Sequence, residues 1–267
     1  MHLKELYVYP IKSARGISMK SAQLDARGLE LDRRWMLIDD DGGFLTQRKN
    51  PRMALLRVEV REKHLVVRTD GLQELTVPIH PVSEMARRVQ IWKDTVDAVD
   101  CGDDAARWFT SMLDRSCRLV YMPDEARRIA DLRYARQESP VSFVDAFPLL
   151  LISKASLDDL NNRLAEPVTM DRFRPNLVIE GCATYEEDTW ERIQIGQTSF
   201  HVAKPCVRCT VPNVDQKTGT RGVEPLRTLE SYRTFDGKVC FGQNLIHEGK
   251  GILRVGDPLS VMSLKAM

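Results

Sequence analysis

Two cysteines stand three residues apart, Cys206 and Cys209, with Arg208 between them and a proline on each flank, in the segment KPCVRCTVPNVD at 204–215. Thiols at this spacing suggest four chemistries. A structural zinc site needs four ligands, normally two close pairs. Here there is one such pair, the five histidines (His2, His64, His80, His201 and His247) form no partner motif, and His201 falls inside a predicted strand. A dithiol redox motif usually opens a helix after a strand, where the helix N-terminus acidifies the thiol. Cys209 is instead followed by Thr-Val-Pro-Asn, and Pro212 comes too late for the first position of a helix. A third reading is two small hydrophobes in a loop. In the fourth, one thiolate ligates a soft or high-valent metal that arrives inside an anionic cofactor, with Arg208 favouring the thiolate and holding the anion. The pair by itself leaves these open.

Three other turns carry groups suited to an anion. Tyr9-Pro10-Ile11-Lys12-Ser13 places a lysine and a serine directly after a strand, a point charge and a hydroxyl donor for phosphate. Asp32-Arg33-Arg34-Trp35 enters an apolar strand. Alternation would send Arg33 and Trp35 to one face and Arg34 to the other, and a half-buried arginine needs an anionic partner, either Asp32 or a ligand. Phe173-Arg174-Pro175-Asn176 again presents an arginine and an amide at a strand entrance. Each turn alone is compatible with solvated surface chemistry. Together with the cysteine turn they suggest a polyanion pocket built from loops on a β scaffold. Asp215, six residues past Cys209, is expected to be a turn residue, with a part in proton movement as the alternative.

The elements that must position these turns read mainly as strands. Strands are predicted over 3–8, 35–38, 55–60 and 65–67, with turn signals between them. Short strands at this spacing point to a barrel or strongly bent sheet rather than alternating βαβ units. A helix is predicted over 103–113, capped by Asp100 or Gly102, then a strand over 118–121. The charged, poorly periodic stretch 122–140 is a linker or crossover, dividing the chain into parts at 1–121 and 141–267. The second part should contain strands over 147–152, 177–179, 191–195, 200–203, 253–255 and 259–262, and helices over 156–164 and 225–232. Ser156-x-x-Asp159 is the expected capping box of the first of these helices.

The bulk properties narrow the function. The 267 residues carry 39 basic and 38 acidic side chains, a net charge of +1 that gives no nucleic-acid footprint. No apolar run reaches the ~18 residues of a membrane span, and the first residues lack a signal-peptide core. Six cysteines are too few for a disulfide framework at this length, so a reducing, cytoplasmic setting is expected.

Read in order, YPIKS at 9–13, DRRW at 32–35, FRPN at 173–176, CVRC at 206–209 with VD at 214–215, CFGQN at 240–244 and VGDPL at 255–259 resemble the MOSC-domain proteins with an N-terminal β-barrel domain. That family includes the mitochondrial amidoxime-reducing component and bacterial relatives. The resemblance covers essentially the whole chain. It implies a mainly β, α+β, two-part architecture with a molybdenum cofactor of the molybdopterin type in the cleft between the parts. It also implies that Cys209 is the thiolate ligand of the metal and the catalytic residue, with Cys206 a neighbour. Lys12, Ser13 and Arg33 match the family's cofactor contacts in the first part, and Arg174, Asn176 and Arg208 those in the second. Asn244 stands where a tyrosine contact is found in relatives, and Ala146-Phe147 replaces a Thr-Ser pair before Pro148. The implied activity is two-electron reduction of N-hydroxylated compounds such as hydroxylamines, N-hydroxylated base analogues and amidoximes. With neither an iron–sulfur domain nor a membrane anchor expected, electrons would come from a separate protein of the ferredoxin, flavodoxin or haem type. The alternatives are a non-catalytic carrier of the cofactor or of sulfur, and a thiol redox protein using both Cys206 and Cys209.

Overall fold

The computed structural model describes residues 1–81, 86–135 and 138–266. It is mainly β with a few helices, as expected. The largest sheet runs Leu259–Leu264, Trp190–Ile195, Thr198–Val207, Lys238–Glu248, Leu149–Ser153, Leu177–Glu180, His2–Val8 and Ile17–Met19, with Thr234–Phe235 hairpinned onto Lys238–Glu248. The first strand of the chain thus lies in the sheet of the second half, antiparallel to Leu177–Glu180. Ser21–Asp25 likewise pairs with Gly251–Arg254. Backbone ladders therefore join the halves. The incomplete alternation of His2–Val8 has a local cause: the register shifts between Leu3 and Glu5, so Leu3, Leu6 and Val8 all face the core.

The first half adds a four-stranded sheet, Trp35–Ile38, Arg118–Tyr121, Asp94–Asp100 and Ala86–Ile91, and a three-stranded one, Arg57–Arg61, His64–Arg68 and Leu75–Pro78. Helix Asp103–Leu113 packs Ala105, Phe109 and Met112 into the core around Trp35 and Tyr121. It forms where expected, with Gly102 as N-cap and the Asp100 carboxylate accepting from Gly102 N at 2.9 Å. A second core gathers around Trp190 and Phe200, and Leu31 packs against both.

Several expected boundaries move. The helix near 156–164 is Lys154–Arg163, and its cap is Ser153, whose Oγ accepts from Ser156 N at 3.1 Å. Asp159 binds Arg163 instead of closing a box with Ser156. The strand near 147–152 is Leu149–Ser153, beginning only after Pro148. Residues 51–55 form a 3-10 turn with proline at its start, which delays the next strand to Arg57–Arg61. The strand near 200–203 extends to Thr198–Val207 and carries Cys206 near its end. The helix near 225–232 is one short turn, Leu226–Glu230. The stretch 122–140, the expected linker or crossover, buries Ala126, Arg128 and Ala130, and its residues 136–137 lie outside the described residues. The long strand Lys238–Glu248 has no counterpart in the sequence reading. Gly242 interrupts its pattern, at φ +81, where a Cβ would lie 2.7 Å from the Leu151 carbonyl of the neighbouring strand.

One buried acid gives this part of the fold a pH signature. Glu187, 1% exposed, accepts through Oε1 from Ser153 N at 3.1 Å and Ser156 Oγ at 2.8 Å, while its Oε2 is buried without a partner. Burial pushes the carboxyl up, against the lowering effect of the Ser156 hydrogen bond. The folded chain therefore favours the protonated form. That contribution is full below the unfolded carboxyl's pKa and fades as pH rises through the raised one. Glu187→Gln removes the dependence. In paired thermal melts, the Tm of the variant should gain on wild type as pH rises from below the ordinary carboxyl range through the raised one, and a constant difference would refute this assignment.

Candidate functional site

An open cavity of about 820 Å³, counting its mouth, lies where the turns of both halves meet. All eight residues expected at a cofactor, Lys12, Ser13, Arg33, Arg174, Asn176, Arg208, Cys209 and Asn244, line it. Three of them, Ser13 (φ 68), Arg33 (φ 49) and Arg174 (φ 58), adopt left-handed backbone that non-glycine residues rarely take. Such conformations cost roughly 1–3 kcal/mol each and persist where surrounding contacts fix them.

Those contacts are on view. The turns at 9–13 and 32–35 are laced together by Arg33 N to Tyr9 O at 2.8 Å, Trp35 N to Pro10 O at 3.1 Å and Lys12 N to Trp35 O at 2.8 Å. Buried Asp32 accepts from Tyr9 N at 2.8 Å and Asn176 Nδ2 at 3.1 Å through Oδ1, and from Arg33 Nη1 at 2.5 Å through Oδ2. The left-handed backbone at Arg33 takes it out of strand alternation. Its guanidinium stacks on Tyr9, 4.4 Å from the ring centroid, rather than sharing a face with Trp35. Arg174 stacks on the same ring at 4.4 Å. Tyr9 is held by its hydroxyl donating to Pro175 O at 3.0 Å and by Gly16, where a Cβ would come 2.5 Å from the ring.

Asn176 lines the cavity, but its amide is fully used inside the protein. Nδ2 donates to Tyr7 O at 3.2 Å and to Asp32, while Oδ1 accepts from Arg33 Nη1 at 3.1 Å and Leu150 N at 3.2 Å. In this structure it fixes Arg33 and Asp32 at the cavity wall. Asp215 is a turn residue: it accepts from Lys217 N and Thr218 N, each at 2.9 Å, and pairs with Arg172 at 2.7 Å, away from this cavity.

The cavity is electropositive. Its walls carry Lys12, Arg33, Arg48, Arg174 and Arg208 against one acid, Asp145. Lys12 Nζ donates to Asp145 Oδ1 at 2.6 Å and Phe143 O at 2.8 Å. Desolvation pushes the Asp145 carboxyl up, but the charge and hydrogen bond of Lys12 outweigh it and hold the acid well below the usual carboxylate range. Buried Arg128 braces the same loop, donating to the carbonyls of Ser142, Val144 and Asp145. Burial, then the adjacent Arg33, pushes the Arg174 guanidinium down to about 10. Arg174 Nη2 and Arg208 Nε are buried with no partner. Crowded cations with unused N–H groups are the donor set of an anion site.

Cys206 and Cys209 both line this cavity. Register shifts between Val202 and Lys204 and between Pro205 and Val207 bend the end of the Thr198–Val207 strand. Arg208 Nη1 donates to the Cys206 sulfur at 3.1 Å and Nη2 to Phe173 O at 2.7 Å. Half-buried Cys209 follows in the turn, ahead of a 3-10 turn at Val211–Asn213 rather than a full helix. Among the described residues no group of three or more His, Cys, Asp or Glu side chains is placed to hold a metal ion. A metal bound by Cys209 would need its other ligands from a cofactor. Asn244 sits opposite Lys204 and Leu150 in the sheet, with weak 3.4 Å contacts to the carbonyls of Lys204 and Pro205 that leave the amide available. Arg48, Thr46 and Asp145 also line the cavity and went unnoticed in the sequence, because no motif or periodicity marks them.

Comparison with known proteins identifies the chain's relatives. Residues 1–116 match the MOSC N-terminal beta barrel domain and residues 138–260 the MOSC domain. The mitochondrial amidoxime-reducing component 1 of Mus musculus is 36% identical over 97% of this chain and 81% of its own length. Its Homo sapiens counterpart is 34% identical over 97% and 82%. The molybdenum cofactor sulfurase of Danio rerio is 33% identical over 92% of this chain but only 32% of its own length.

The hub at Asn176 can be tested apart from any ligand. Asn176→Ala takes one partner each from Asp32, Arg33, Tyr7 O and Leu150 N, and should lower the unfolding free energy by about 3 kcal/mol. Asn176→Asp, which sets a second carboxylate against Asp32, should do worse. Urea melts measure both, and a loss below about 1 kcal/mol for the alanine variant would remove the hub.

Proposed function

Because this chain belongs to the family that joins a MOSC N-terminal beta barrel domain to a MOSC domain, with amidoxime-reducing components among its relatives, we propose that it is a molybdenum-cofactor-dependent reductase of N-hydroxylated compounds. The observation that carries this reading is the meeting, in one cavity, of a half-buried thiol and arginine N–H groups without partners.

The residues present fit the cofactor. Arg174 Nη2 and Arg208 Nε are free for a phosphate, and Ser13 and Asn244 offer polar groups to a pterin. Cys209 supplies the protein thiolate for the metal. When bound, the cofactor provides the two-electron chemistry that cleaves the N–O bond and releases water. The chain's own residues do the rest. Arg33 and Arg174, locked on Tyr9, orient the anion; Lys12, anchored by Asp145 and Phe143 O, adds a fixed donor, its ammonium pushed down by burial and supported by Asp145. Val144, Ala146, Phe147 and Leu150 make an apolar wall that limits water beside the reacting group. The Ala146-Phe147 pair offers no side-chain hydroxyl there, leaving only backbone groups for polar contact. Electrons come from a separate redox protein.

A second reading, delivery of the cofactor or its sulfur to another enzyme, is supported by the sulfurase relative. Protein made in a host that synthesises the cofactor separates the two. The reductase should hold about one molybdenum per chain, lose it in Cys209→Ala, keep most of it in Cys206→Ser, and turn over an amidoxime with an artificial electron donor. A carrier would release the metal to an acceptor without turnover. A metal-free but folded wild-type protein would overturn both.

A further inference from the structure

Arg48 takes no part in the reading above. It lines the cavity, yet its guanidinium makes no hydrogen bond or ion pair among the described residues. It stacks on the Trp92 ring, 4.5 Å from the centroid, and its charge helps hold the Asp145 carboxyl below the usual carboxylate range, after the larger effects of burial and Lys12. Trp92 is the first residue of the two-residue tip between strands Ala86–Ile91 and Asp94–Asp100. Its φ is 55, in a place where glycine, asparagine or aspartate is usual. The indole remains 40% exposed. It is nonetheless fixed: Nε1 donates to Asp145 Oδ1 at 3.3 Å, and the ring packs on Phe44 at 5.2 Å. Asp145 is in turn held by Lys12 and, through its backbone, by Arg128. A partly exposed indole and a guanidinium with no hydrogen-bond partner among the described residues therefore lie together beside Asp145, which lines the cavity with Arg48.

The geometry points to Arg48 and Trp92 as a substrate subsite for a planar ring bearing an anionic group, so that N-hydroxylated aromatic compounds carrying a carboxylate are preferred over neutral ones. Trp92 supplies a stacking face, and Arg48 supplies a planar pair of donors for the carboxylate. This rests on the reductase reading for the nature of the N-hydroxylated group, but the subsite itself is a matter of binding.

The test uses protein purified with its cofactor and two probes, benzamidoxime and its 4-carboxylate, with affinities measured by calorimetry at low salt. The carboxylate should bind about tenfold tighter, with the advantage shrinking as salt is raised. Arg48→Gln should bring the two within about twofold, and Arg48→Lys should restore part of the preference. Trp92→Ala should weaken both probes by about fivefold. Equal affinities in wild type, or a preference that survives Arg48→Gln in a variant with a wild-type melting curve, overturns the subsite. Turnover of neutral benzamidoxime is scored separately. Its loss with the binding preference intact counts against the reductase reading and supports the subsite; turnover with equal affinities does the reverse.

Discussion

The Asp32 carboxylate, 3% exposed, binds the two halves of the cavity into one geometry. It is reached by Tyr9 N from the first turn, by Arg33 from the second and by the Asn176 amide from the far half of the chain. A buried charge is tolerated only when it is paired and its lone pairs are satisfied, and removing one partner from such a set costs about 3–5 kcal/mol. The arrangement therefore does more than stabilise. It forces Arg33 to lie where it stacks on Tyr9, and it brings Arg174 onto the same ring. Two cations on one aromatic ring with one carboxylate between them leave a surplus of positive charge, and that surplus faces the cavity.

The same constraint explains the backbone outliers. Ser13, Arg33 and Arg174 each adopt a conformation that would be unfavourable in a free loop. Each is pinned by a neighbour from another segment: Gln47 Nε2 donates to Ser13 O, Arg33 N donates to Tyr9 O, and Arg174 Nη1 donates to Ala14 O. Rigid turns of this kind place charged groups before a ligand arrives, so little ordering remains to be done on binding.

Much of this was legible in the sequence, and the failures have physical reasons. Motif residues sit where local chemistry is distinctive, so YPIKS, DRRW, FRPN and CVRC all reach one cavity. Helix Asp103–Leu113 was readable because its apolar face and acidic first turn agree. The strand Lys238–Glu248 was not, because Gly242 is dictated by a close neighbouring backbone and breaks the pattern that marks a strand. Arg33 was assigned to the wrong face because alternation presumes extended backbone, and a single left-handed residue cancels it. The sequence marks Asn176 as a polar group at a strand entrance, but the four internal hydrogen bonds of its amide come from segments far apart in the chain and leave no local signal. Arg48 and Trp92 lay outside any motif, since what unites them is a hairpin tip folded over a loop far along the chain.

The insertion of His2–Val8 between Ile17–Met19 and Leu177–Glu180 ties the order of synthesis to the order of assembly. His2–Val8 leaves the ribosome well before its partner strand, which emerges some 170 residues later, so this ladder is a long-range closure of the slow-forming kind. Until it closes, Leu177–Glu180 shows a bare edge of unpaired amides and carbonyls, the sort of edge that recruits other chains. A fragment holding only the second half would carry that open edge permanently, and it would also lack Tyr9, Lys12 and Arg33. Integrity of the sheet and competence of the cavity are thus inseparable properties of the intact polypeptide.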